Sequence, residues 1–316
     1  MAQRILAVLA LILTTVSAGP RAFGEAGHRV VGLLAEMHLT DSEALAQVRR
    51  ILRPGESLAD ASVWPDTIKN PLYEDEDTAI FRLDHPGHDT YHYANLPFQV
   101  ERYDLSVPGA RPTDMVQTMR ESIRVLRGKS SFFRPREALR MLAHLVGDVH
   151  QPLHVGNTFV SAADPPRFVI PKGPAGWRST LGGNMLLYGP EDRFNLHGYW
   201  DVHAVNISMR QEDPPGYAVR LSKTLPARSE WRGKGDVDSW PQQWATQALG
   251  HARAAHEGIA IVAYLGPDEA RRNPHRWRIE QPGKYDDLAR SLVPVQLAAA
   301  GYRLAETLRA IWPDRR

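Results

Sequence analysis

The sequence predicts a mainly α-helical single domain with one small β-hairpin and long loops. Apolar residues recur at three- and four-residue spacings through most of the chain. The 24 prolines and 24 glycines collect largely between those periodic stretches. No repeat, low-complexity tract or linker divides the 316 residues, and 43% of them are hydrophobic, enough for one full core.

The elements follow in chain order. Residues 1–22 hold Arg4, a largely apolar run over residues 5–16 and then Ser17-Ala18-Gly19, the layout of a secretory signal peptide. The run is shorter than the ~20 residues of a membrane span, and no later stretch reaches that length. A secreted or periplasmic protein without a membrane anchor is expected, cut after Ala18 or after Ala22. Over residues 28–39, Val30, Leu33, Leu34 and Met37 make one helical stripe. Asp41 or Ser42 caps a second helix running to Leu52. Val116, Met119, Ile123 and Leu126 repeat the pattern, and Pro135 opens a helix that carries Leu139, Leu142, Leu145 and Val146. Residues 181–188, with Gly182-Gly183 and a short apolar run, suggest the hairpin. Residues 240–265 and 287–311 read as two long helices, with Gly258 and Pro294 as kink points.

Composition narrows the chemistry. The chain has no cysteine, which removes thiolate metal sites and thiol nucleophiles, and it has 13 histidines. A metal site must be built from His, Asp and Glu. The formal charge is +2, and without residues 1–22 it is zero, which argues against nucleic-acid binding through a broad basic face.

The most informative segment is HLVGDVHQPLHVG, residues 144–156. His144 and Asp148 stand four apart and share one face of the predicted helix. His154 follows, beyond Pro152. A second pair at that spacing, His197 and Asp201, lies in NLHGYWD. One such pair is commonly an ion pair on a helix; two, one of them among apolar residues, suit a cation held by imidazole nitrogen and carboxylate oxygen, zinc above all.

Taken in order, FGEAGH with Phe23 and His28, SVWPDTIK with Asp66, YHYANLP with His92, HLVGDVHQPLHVG, the GGN turn and NLHGYWD resemble the zinc-dependent, single-strand-specific nucleases of fungi, plants and bacteria. That family shares its all-α fold with bacterial zinc phospholipases C. The resemblance covers nearly all of residues 23–316. It implies three zinc ions: one on Asp66, His92, His144 and Asp148; one on His154, His197 and Asp201; and one on His28, bridging Asp148 and the amine and carbonyl of the mature first residue, here Phe23 where relatives usually have Trp. It further implies hydrolysis of single-stranded DNA and RNA to 5′-phosphates, Asp66 orienting or deprotonating the attacking water. Lys69, in place of a fungal Arg, would neutralise the phosphate. Tyr93 would stack on a base, Asn95 contact its edge and Asn184 hold a phosphate oxygen or the turn. Several relatives also dephosphorylate 3′-mononucleotides. No obligate protein partner is implied.

His150 reads as a supporting or packing residue, and His38, His251 and His256 as structural ones. Residues 70–90, acidic at the start and longer than in fungal relatives, read as a loop at the cleft rim; no role follows for His85 or His88. Two alternatives remain. A phospholipase C would typically carry Glu at position 201 in the second pair, and a non-catalytic zinc-binding protein would favour closed, thiolate-rich sites.

Overall fold

A long helix is buried on every side when apolar residues surround it, and residues 135–148 have that character. The computed structural model describes residues 23–173, 175–268 and 273–314; the expected signal peptide lies outside them. The helices are α1 (Gly24–His38), α2 (Glu43–Ile51), α3 (Leu58–Ala61), α4 (Trp64–Thr67), α5 (Thr78–Asp84), α6 (Met115–Leu126), α7 (Pro135–Asp148), α8 (Pro152–Val155), α9 (Leu196–Gly198), α10 (Ala204–Met209), α11 (Pro214–Thr224), α12 (Trp240–His256) and α13 (Tyr285–Ile311). A π-helical turn, Tyr199–His203, joins α9 to α10.

α7 forms the axis. Every residue from Glu137 to Asp148 is buried, and α1, α2, α3, α4, α6 and α13 pack around it. Its start is set by Pro135 and by Glu137, whose carboxylate accepts the Arg134 amide at 2.8 Å. Ser42 caps α2 and Asp114 caps α6 through their side-chain oxygens. α7 ends inside the molecule with His144 and Asp148 on its last turn, where the carbonyl end of the helix dipole favours positive charge.

The strands are short. β1 (Leu96–Pro97) pairs in parallel with β2 (Gly156–Asn157), and β3 (Phe159–Ser161) lies between β4 (Phe168–Val169) and β5 (Trp177–Ser179). A third sheet orders β7 (Phe194–Asn195), β6 (Leu186–Tyr188), β9 (Asn273–Glu280) and β8 (Ala260–Asp268). The molecule is 54% helical, so the mainly helical class stands.

Three expectations need correction. The helix expected over residues 240–265 stops at His256, because Gly258 turns the chain with φ +73° and the following Ile259, Ile261, Val262 and Tyr264 suit a strand paired with β9. The expected hairpin is β6–β7, but β6 also pairs in parallel with β9 and so belongs to a larger sheet. Residues 70–90 are more than a loop: the Asp75 carboxylate accepts the Asp77 and Thr78 amides and starts α5. His85 and His88 are buried there against Phe81. α13 runs unbroken across Pro294.

Candidate metal centre

Seven elements deliver the site. α1 brings His28, α4 brings Asp66, the 3-10 turn His88–His92 brings His92, α7 brings His144 and Asp148, and α8 brings His154. α9 and the π-helical turn add His197 and Asp201. Every one of these side chains is buried. Three groups have ligand atoms within 4.8 Å of one another: His28, His144 and Asp148; Asp66, His92 and His144; and His154, His197 and Asp201. His144 belongs to two of them.

The inner contacts are close. His28 Nε2 is 3.3 Å from Asp148 Oδ1, His144 Nε2 is 3.1 Å from Asp148 Oδ2, and His92 Nδ1 is 3.2 Å from the same oxygen. His197 Nε2 lies 3.2 Å from Asp201 Oδ2. The His28 ring stacks on His144 with centroids 3.9 Å apart. That approach needs glycine on α7, because a Cβ at Gly147 would sit 2.6 Å from His28 Nδ1.

The ring orientations follow from backbone bonds. A carbonyl only accepts, so His144 Nδ1 donates to Ser62 O at 2.7 Å, His154 Nδ1 to His92 O at 2.6 Å and His197 Nδ1 to Gly182 O at 2.8 Å. Each Nε2 is thereby left as an acceptor aimed at the cluster, the arrangement of a metal-binding imidazole. The Gly182 carbonyl faces His197 because Leu181, Gly182 and Gly183 all have positive φ. Gln151 ties the groups together: its Nε2 donates to Asp201 Oδ1 at 2.7 Å and its Oε1 accepts the Leu153 amide.

The donor set fits cations. Asp66 Oδ2, both Asp148 oxygens, Asp201 Oδ2, both His28 ring nitrogens, His92 Nε2 and His154 Nε2 are buried with no hydrogen-bond partner among the described residues. Such orphans are costly unless an ion takes them. The charge pattern agrees. Burial opposes protonation of His144 and His154, yet neighbouring carboxylates, Asp148 first, hold both above the ordinary value, His154 at about 9. Burial and neighbouring cations push His28 down, and His92 to about 3. The imidazoles overcome burial and hold Asp148 well below the usual carboxylate range and Asp201 at about 2. Burial likewise raises Asp66, but Lys69 and the histidines outweigh it and hold the carboxyl low. The three carboxylates are thus held ionised, a charge that bound cations would offset.

Above it lies a cavity of about 280 Å³ bounded in part by Lys69, Tyr93, Asn95 and Asn184. Lys69 Nζ meets Asp66 Oδ1 at 2.7 Å. Asn184 donates Nδ2–H to Leu181 O at 2.8 Å, so it holds the turn and also faces the cavity. Phe23 is buried at the cap of α1 with φ 42°, its carbonyl accepting the Gly27 amide at 3.0 Å; the side-chain groups do not include it. Three contributors were missed in sequence: Ser62, Gln151 and Asp89, which also lines the cavity. Gln151 stood inside the HQPLH segment and was legible as a support; Ser62 acts through its carbonyl and left no side-chain signal.

Residues 23–313 match the sequence profile of the S1/P1 Nuclease family. The chain belongs to that family. It is 26% identical to Endonuclease 5 of Arabidopsis thaliana, covering 98% of this chain and 97% of the relative. It is also 26% identical to Endonuclease 4 of the same plant over 96% and 94%. Identity to Nuclease S1 of Aspergillus oryzae is 23%, over 92% of this chain and 91% of the relative. As a member of the S1/P1 nuclease family the protein is a hydrolase of phosphodiester bonds with nucleic-acid substrates. Its three His/Asp groups are the places that could hold the metal such a nuclease uses.

Proposed function

We propose that this nuclease is exported, carries three zinc ions and cuts single-stranded DNA and RNA to 5′-phosphate products. The observation that carries the reading is one set of buried ligand atoms on five histidines and three aspartates, those of His28, His92, His154 and the three aspartates without a hydrogen-bond partner, lying beneath a cavity with a cation and an aromatic ring at its edge. Bound there, zinc supplies Lewis acidity, drawing the pKa of water toward ~7 and offsetting charge on the phosphate. The third ion would draw on His28, Asp148 and the amine and carbonyl of Phe23, which requires cleavage after Ala22.

The chain's own groups have separable tasks. Asp66 is held ionised, so it is a weak base and is suited to orienting the attacking water through Oδ2. Lys69 carries a point charge toward a non-bridging phosphate oxygen. Tyr93 offers a face on which any unpaired base can stack, and Asn95 can both donate to and accept from a base edge. Asp201 in the second pair favours this reading over a phospholipase C.

Metal analysis of the purified protein should find close to three zinc ions per chain. Single strands should be degraded faster than duplex, with phosphatidylcholine left intact, and N-terminal sequencing should begin at Phe23. A metal-free protein active on nucleic acid, or one that cuts only the lipid, would overturn the assignment.

A further inference from the structure

A second cavity, of about 430 Å³, lies between the loop after β3 and the β8–β9 hairpin. Its aromatic wall follows from strand geometry. His275 and Trp277 are two apart on β9 and share a face, and Tyr264 on β8 is the cross-strand partner of Trp277. The Tyr264 and His275 rings lie 5.7 Å apart at 33°, and His275 stacks on Trp277 at 6.1 Å and 23°. Tyr264 is 53% exposed, whereas Trp277 is buried beneath as a floor.

Hydrogen bonding fixes the polarity of this wall. Arg178, on β5, donates Nε–H to His275 Nε2 at 2.7 Å. A guanidinium cannot accept, so His275 keeps its proton on Nδ1 and donates it to the Tyr264 oxygen at 2.7 Å. Burial and the Arg178 guanidinium push His275 below the ordinary value, and the Tyr264 hydroxyl proton remains available to another acceptor. The Arg178 guanidinium bonds His275 and the Trp177 carbonyl and has no carboxylate partner among the described residues, although Asp164 also lines the cavity. The wall therefore combines a flat π surface, a fixed cation and a hydroxyl donor. A base stacked on a ring with its phosphate on an arginine matches the π surface and the cation.

Strands β5 and β9 connect that wall to the cavity above the metal groups. Arg178 is three residues before Leu181, which bounds the cavity above the metal groups, so their Cα atoms are at most about 11 Å apart. The Trp277 amide donates to Met185 O at 3.0 Å, and Met185 follows Asn184, another residue of that cavity. A single strand with its scissile phosphate over the metal groups has this second cavity within reach.

We infer that the cavity is a second nucleotide subsite, which stacks one unpaired base on Tyr264 and His275 and holds its phosphate on Arg178. The inference rests on the nuclease reading above and adds a reason for single-strand preference, since a paired base cannot enter.

The test compares kcat/KM of the zinc-loaded enzyme on a dinucleotide with that on an oligothymidylate of about twelve nucleotides. Tyr264→Ala should lower the long-to-short ratio about tenfold, and Tyr264→Phe should restore it. Arg178→Ala should lower the ratio as well and reduce the salt slope on the long strand by about one. Melting temperatures near that of the parent would show that the fold persists, as the exposure of Tyr264 leads us to expect. An unchanged ratio in both alanine variants overturns the subsite while leaving the nuclease reading intact. A parent protein that cuts neither substrate overturns the nuclease reading itself.

Discussion

Histidines are buried in two kinds of place in this molecule, and only one kind belongs to the metal centre. His144 and His154 in the cluster, and His150 and His256 outside it, all donate Nδ1–H to a backbone carbonyl. Burial disfavours the charged ring in all four. What separates them is the far side of the ring. His144 and His154 aim Nε2 toward carboxylates and are raised above the ordinary value. His150 Nε2 instead accepts from Arg303 at 2.8 Å, and His256 stacks on Phe98; both are pushed below the ordinary value, His256 to about 4. An anchored, buried histidine is therefore not evidence of a ligand. Convergence of carboxylates on its second nitrogen is.

The sharpest way to break the contrast is Asp148→Asn, which keeps shape and removes the charge shared by His28, His92 and His144. Turnover should fall at least about a thousandfold, with bound zinc reduced; steady-state rates and metal analysis measure both. Near-normal rates would mean the cluster is not the reaction centre.

His256 probes the other class. Its folded pKa is depressed, so its contribution is present in full above the ordinary pKa of 6.5 and is lost as pH falls through about 4. From about pH 7 to about pH 4 the parent should lose on the order of 3 kcal/mol more stability than His256→Leu. Urea unfolding at the two pH values reads that difference, and parallel losses would show that His256 is not held neutral by burial.

A smaller effect is expected of His150→Leu, which leaves the Arg303 guanidinium without one of its acceptors. Stability should drop by about 2 kcal/mol with the zinc count unchanged. Loss of metal would move His150 into the first class, although it lies only two residues from Asp148.

Legibility in the sequence tracked distance along the chain. The two pairs His144/Asp148 and His197/Asp201 were visible because one helical turn brings positions i and i+4 together. The starts of α2 and α7 were visible because Ser42 and Pro135 act on their own next turn. The end of α12 was not. Residues 259–265 are apolar enough to extend a helix, and their partner strand begins at residue 273, beyond any local window. The same limit hid Ser62, whose carbonyl meets His144 across 82 positions. Helix α5 was obscured because its start depends on a single carboxylate, Asp75, inside an acidic run.

Local pattern alone thus determined the helical class, the metal-type donor set and the two turns that carry paired donors, since these depend on backbone geometry over a few residues. Only tertiary packing decided that His28 stacks on His144, that His144 is shared by two groups, and that Gln151 braces Asp201. Those contacts join segments far apart in the chain, and they form only when α7 is buried and its last turn is closed over by α1, α4 and α8.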